Sequence, residues 1–298
     1  MTAASAPAGE QAGGLPAARS LARVAANRTL GSLVWLTLEV PGWPGARPGQ
    51  FTLLQAQDSR CFLGRALSVA QEQGEFVSFL IAPVGEGTRE LCALREGERV
   101  WVLGPLGNGF DVRALTGGRK RLLVVAGGLG AAPFPLLLSR LGCQDVSEPA
   151  EAAEVLVLLG FRDAAQAAGA QPVIDAAAAL QERGVMCRMD VVTENGSLGR
   201  AEKVTETLQR DLRPGDGLAV CGPWAMCAAV ARICAAVADM EAWFSLEAGM
   251  ACGVGSCHGC VIPLADGTAA RVCREGPVFT TQAVFSSGFG PAAGAAER

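Results

Sequence analysis

Tyrosine is absent, and histidine occurs once, at His258. A single histidine excludes metal sites built on several histidines. It also argues against a Ser/His/Asp mechanism, because His258 lies inside a cysteine-rich loop. Charge is sparse, at 18% of residues, and the net charge is −4. There is thus no basic surplus of the kind that marks a nucleic-acid-binding surface. No apolar run reaches the roughly 18–20 residues needed to cross a bilayer. The longest candidates, Ala126–Leu138 and Ala228–Ala238, are short, and the second contains Arg232. The first residues lack the basic and apolar regions of a secretory signal. Residues 1–20 and 286–298 are rich in Ala, Gly and Pro and are expected to be disordered tails. Without an export signal, a cytoplasmic setting is expected, with the cysteines outside the loop reduced.

What is present is length, apolar character and cysteine. The 298 residues are 50% hydrophobic, enough for two domains and a smaller third. From Leu21 to Val112 short β-rich runs alternate with turn residues, as in Ser32–Val40, Phe51–Gln55, Arg65–Val69, Phe76–Ile81 and Arg99–Leu103. This spacing predicts a small antiparallel barrel, interrupted by a helix near Thr88–Leu94 with Thr88 as its N-cap. After Gly117-Gly118 the pattern changes. Buried-type strands at 121–126, 154–160, 185–193 and 217–221 alternate with helices near 131–141 and 173–183 and after Pro223. That alternation predicts a doubly wound α/β domain. The expected division is a barrel over 21–115, an α/β domain over 116–241 and a small cysteine domain over 242–285.

Four of the eleven cysteines fall within that last segment, as Cys252-Gly-Val-Gly-Ser-Cys257-His-Gly-Cys260 with Cys273 beyond. The C-x4-C-x2-C-x12-C spacing is that of a plant-type [2Fe–2S] site. Structural zinc is the alternative, but zinc sites favour two separate C-x2–4-C knuckles. Gly253, Gly255 and Gly259 permit a loop that wraps closely around a cluster. Gly127-Gly-Leu-Gly-Ala-Ala-Pro133 follows a strand and opens a helix. It suits a phosphate-cradling turn through Gly128 and Gly130, or a tight turn with no ligand. Cys221-Gly222-Pro223 lies where α/β sheets bind ligands. By themselves, Arg65-Ala-Leu-Ser68 reads equally as a solvated edge and Gly85-Glu-Gly-Thr88 as a structural turn.

A barrel followed by an α/β domain with G-G-x-G-x-x-P and C-G-P resembles the ferredoxin–NADP reductase superfamily. The segments Glu247–Cys260, Val272–Phe279, Gly104–Phe110 and Thr193–Gly199 narrow this. They resemble the electron-transfer subunit of the NAD-dependent (class 1B) dihydroorotate dehydrogenase. The resemblance implies FAD, a [2Fe–2S] cluster on Cys252, Cys257, Cys260 and Cys273, and NAD as substrate. It places Arg65, Ala66, Leu67 and Ser68 on the flavin strand, with Ala66 where proline is usual. A second flavin segment, usually Y-R-V, falls on Ile81, Ala82 and Pro83, which lack both the aromatic and the arginine. Gly87 and Thr88 keep a flavin-contacting G-T. Gly128, Gly130, Cys221, Gly222 and Pro223 fall at the nucleotide. No residue is assigned as a catalytic acid or base.

The implied partner is an FMN-containing dihydroorotate dehydrogenase catalytic subunit in a heterotetramer, with the complex serving pyrimidine biosynthesis. No nucleic acid and no membrane span are expected. The alternative is the small subunit of another flavin and iron–sulfur oxidoreductase, of the ferredoxin–NADP reductase or sulfide dehydrogenase type. As between NAD and NADP, Arg162 would favour a 2′-phosphate and Asp163 would oppose it.

Overall fold

The computed structural model describes residues 19–119, 121–141, 154–238 and 240–285. Two sheets dominate it. The first holds β1 (Arg19–Leu30), β2 (Leu33–Glu39), β3 (Phe51–Ala56), β4 (Arg65–Ser68), β5 (Gln71–Gln73), β6 (Phe76–Ile81) and β7 (Arg99–Leu106), with α1 (Glu86–Ala93) before the last strand. Its order is β4-β3-β7-β1-β2-β6-β5, and every pair is antiparallel. The chain itself draws the two edges together after β4. Val69 N donates to Gln50 O on one side, and Ala70 N donates to Ser78 O on the other. The sheet therefore curls into the expected barrel around Leu36, Leu38, Leu54, Phe79, Ile81, Val100 and Val102.

β2 shows why simple alternation fails as a guide here. Its inward residues fill the barrel, but Leu33 and Trp35 on the other face are also buried, against Ala132 of the second domain. β1 opens at Arg19, so Arg19 and Ser20 belong to a paired strand and not to the tail in which composition placed them. The rest of both expected tails lies outside the described residues.

The second sheet follows α2 (Val112–Thr116). It comprises β8 (Arg121–Gly127), β9 (Glu154–Phe161), β10 (Met186–Thr193), β11 (Gly217–Cys221) and β12 (Glu241–Ser245). Between them lie α3 (Phe134–Arg140), α4 (Ala164–Ala167), α5 (Gln171–Glu182), α6 (Val204–Asp211) and α7 (Trp224–Ala235). Strand pairing is parallel in the order β10-β9-β8-β11-β12. β8 is buried along its whole length, as a strand covered on both faces must be. The helix expected at 131–141 starts later, at Phe134, because Gly128–Ala131 form a 3-10 turn and Pro133 precedes the first helical residue.

The cysteine segment is spliced into this sheet. β12 and β15 (Val278–Thr280) flank it and pair antiparallel, so β15 becomes the sixth strand. The loop between them carries only the hairpin of β13 (Val261–Pro263) and β14 (Ala269–Arg271), and α8 (Thr281–Val284) closes the described chain.

Candidate redox site

The four cysteines come together in two pairs. Cys252 meets the Cys257 side chain, and Cys257 N donates to Cys252 Sγ at 3.4 Å. Cys260 meets Cys273, and Cys273 N donates to Cys260 Sγ at 3.4 Å. Gly259 N donates to Cys257 Sγ, also at 3.4 Å. Among the described residues, no three His, Cys, Asp or Glu side chains are grouped to hold one ion. Two pairs of sulfurs suit two irons better than one tetrahedral zinc. His258 stands exposed with φ +58°, a loop residue beside the cysteines.

The electrostatics of the two pairs differ. Burial pushes the Cys252 thiol up, but the N–H groups of Val254, Cys257 and Ser256 and the Cys257 side chain outweigh it and bring the group down to about 6. Burial and the neighbouring Cys260 push Cys273 up to about 12. Two thiolates at the buried pair need a cation to offset their charge, and a metal site supplies one.

The loop rests on the barrel. Gly253, at φ +68°, lies so close that a Cβ there would come within 2.9 Å of Leu53 and 3.0 Å of Leu106. Leu53 sits on β3 directly across from Ala66 of β4. The cysteine loop and the strand Arg65–Ser68 are therefore separated by a single β-strand. A cleft of about 730 Å3 runs beside this contact, between Arg60–Gly64 and Ala251–Cys252.

On β4, Arg65 is half-buried, and its Nε is buried without a hydrogen-bond partner. Its Nη2 donates to Leu63 O at 2.9 Å. The guanidinium lies against Gly87, where a Cβ would come within 2.6 Å of Nε. Gly85, not Thr88, is the N-cap of α1. Thr88 is the third helical residue, and its hydroxyl accepts from Gly85 N at 2.9 Å and donates to Gly85 O at 3.0 Å. An unpaired cationic donor above a helix N-terminus is a cradle for a phosphate. Ala66 is exposed and Leu67 fills the barrel, which leaves backbone and Ser68 to face a bound ring. Ile81 is wholly buried in the barrel core, Ala82 packs beside Trp35, and Pro83 is exposed. The departures at these three positions remove side-chain contacts and leave backbone.

The strand order of the second sheet reverses between β8 and β11, and ligands bind at such a switch point. Two turns touch there. A Cβ at Gly130 would lie 2.2 Å from Cys221 O, and one at Gly222 would lie 2.5 Å from Met226 Cε and 3.1 Å from Gly127 N. Gly128 takes φ +56° with Gln166 alongside. Cys221 is buried, and burial together with Glu247 and Cys227 drives its thiol well up, so it stays neutral. Glu247 itself is raised by its surroundings. Asp163 is committed as an N-cap, accepting from Gln166 N at 2.9 Å. Leu53 and Gln166 carry no sequence signal, and distant segments bring them to these sites.

Comparison with known proteins agrees with this layout. Residues 247–285 match the model of the iron–sulfur cluster binding domain of dihydroorotate dehydrogenase B. The electron transfer subunit of dihydroorotate dehydrogenase B (NAD+) from Caldanaerobacter subterraneus is 34% identical over 270 residues, covering 89% of this chain and 97% of that one. The corresponding subunit from Listeria monocytogenes is also 34% identical, over 80% of this chain and 88% of its own. This chain belongs to that family.

The fold is shared more widely. An NADH-dependent reduced ferredoxin–NADP oxidoreductase structure superposes with a TM-score of 0.68 at 21% identity, over 89% of this chain and 90% of that one. A ferredoxin–NADP+ reductase from Neisseria gonorrhoeae with bound FAD and NADP gives 0.57 at 19%, over 72% and 89%. As a member of the dihydroorotate dehydrogenase B (NAD+) electron-transfer subunit family, the chain is an oxidoreductase component with an iron–sulfur cluster binding domain. Membership implies a catalytic partner subunit. No helix among the described residues is long and apolar enough to cross a membrane.

Proposed function

We propose that this chain accepts single electrons from an FMN-containing subunit that oxidises dihydroorotate, and passes them to NAD+ in pyrimidine synthesis. In this reading Cys252, Cys257, Cys260 and Cys273 hold the cluster. Arg65, Gly87 and Thr88 hold the FAD phosphates, while Leu67 and Ser68 offer the isoalloxazine backbone groups and a hydroxyl. Gly128 and Gly130 admit the dinucleotide phosphates, and Cys221-Gly222-Pro223 shape the nicotinamide pocket. When bound, the flavin supplies the conversion between one-electron and hydride transfer. The protein's part is to orient, exclude water and set potentials, and no side chain is assigned to move a proton. The observation that carries the reading is the seat of Gly253 on Leu53, across from Ala66, which brings the cysteine loop to the flavin strand. The complex is proposed to be a cytoplasmic heterotetramer.

The test is reconstitution with an FMN-containing dihydroorotate dehydrogenase subunit and an assay for NAD+-dependent orotate formation, with the mass of the complex measured alongside. A stable complex of tetramer mass that forms orotate supports the reading. Failure to associate, or activity only with another electron donor, overturns it.

A further inference from the structure

The glycine turn and α3 lie in the α/β domain, yet they are fastened to the barrel at three points. At the first, Leu129 and Ala132 pack with Leu33, Trp35, Ala70 and Leu80 on the barrel's outer face. At the second, Leu136 is 1% exposed and belongs to the barrel's own core. The third is Arg140, the last residue of α3. Its Nη2 donates to the Glu72 carboxylate of β5 and to Ala46 O at 3.5 Å.

Glu72 is held on the barrel independently of that contact. Its Oε2 accepts from Trp43 Nε1 at 2.6 Å and from Ala46 N at 2.9 Å, and its side chain is 10% exposed. Arg140, at 43% exposed, is the movable half of the pair. The barrel thus presents a fixed anion, and the helix that follows the nucleotide turn ends on it.

We infer that Arg140 is a positioning residue, which fixes the nucleotide turn relative to the flavin strand by closing onto Glu72. The inference rests on the reading of those two sites given above. Reaction between two bound groups depends steeply on their alignment, so slack between the domains slows hydride transfer without removing either group. Leu136 holds the middle of α3 to the barrel, and Arg140 stops the helix end from pivoting about it.

The test uses the full chain with its FAD, comparing wild type, R140Q and R140K. Stopped-flow spectroscopy reads FAD reduction by NADH in the isolated chain. Hydrogen exchange reads the amides of residues 43–46 and 134–140 in the same proteins. R140Q is expected to reduce FAD about tenfold more slowly, and R140K less than about threefold more slowly, with FAD content unchanged in both. Exchange at the two segments is expected to quicken in R140Q and to stay near wild type in R140K. An unchanged rate in R140Q, equal losses in both variants, unchanged exchange, or loss of FAD from R140Q overturns the inference. If NADH fails to reduce FAD in the wild type, the site reading itself fails and the inference falls with it. If only R140Q matches a fast wild type, the site reading stands and the positioning role alone is lost.

Discussion

Arg65 has a buried Nε with no protein partner, pressed against a glycine that leaves it room. A buried cationic donor left unpaired is costly, and an anionic ligand removes that cost. Replacing Arg65 with Met should therefore weaken FAD binding by about tenfold to a hundredfold, the worth of roughly one to two charge-assisted hydrogen bonds. The FAD-free protein should lose little in melting temperature, because Nε bonds nothing within the chain and the one bond lost, from Nη2 to Leu63 O, is exposed. Flavin titration and thermal unfolding of both forms check the two halves. Cys257 is the exposed one of the four cysteines proposed to hold the cluster. Cys257→Ser should strip iron and abolish electron flow from the partner to NAD+. NADH oxidation with an artificial flavin acceptor should persist, since the barrel and switch-point turns are untouched. Iron content and the two assays decide it, and a parallel loss of both activities in folded protein would contradict the separation of roles.

Among elements, the turn after β10 is joined to the middle and last turn of α6 through Glu202. Its carboxylate accepts from Arg210 Nη1 at 2.9 Å, Thr207 Oγ1 at 2.7 Å and Arg200 Nε at 2.9 Å. Arg210 foremost, with Thr207 and Arg200, outweighs burial and lowers the carboxyl to about 2. The sign follows directly. With the folded pKa depressed, the unfolded chain binds more protons as pH falls below its own carboxylate pKa. The contribution of Glu202 is then present above about 4.5 and is lost between there and about 2. Glu202→Gln should lower the urea midpoint at pH 6 and narrow its difference from wild type at pH 2.5. A gap that stays constant across that range would refute the assignment. At the other end of the sheet, Arg121 pairs with Asp216 at 2.8 Å, and both are nearly wholly buried. Removing one member of such a pair costs more than the pair contributes.

For the whole molecule, the splice of the cysteine segment into the α/β sheet has a direct consequence. β12 and β15 supply two of the six strands, and Phe244 is fully buried among residues of β11 and α7. A chain ending at residue 240 loses both strands and bares the apolar face that Phe244 covers. It should be insoluble or rapidly digested by protease, whereas Cys257→Ser remains soluble and resistant. Comparable protease resistance of the truncated chain would show the sheet to be independent of the cysteine segment.

The sequence by itself determined the chemistry. Cysteine spacing, a glycine turn after a buried strand and a run of short strands are local patterns, each dictated by ligand geometry, backbone freedom or side-chain period. They announced the iron–sulfur segment, the turn between β8 and α3 and the two sheets. Elements governed by distant partners were harder to read: β1 back to Arg19, α2 and α6, and above all β12 and β15, whose place in the sheet is set by the strands they pair with. Only the tertiary structure decided that the cysteine loop sits on Leu53 beside the strand Arg65–Ser68, that the glycine turn at Gly130 meets Cys221, and that Arg140 closes onto Glu72. These are contacts between segments tens to hundreds of residues apart. Each residue's local sequence is compatible with many other partners, and only packing selects among them.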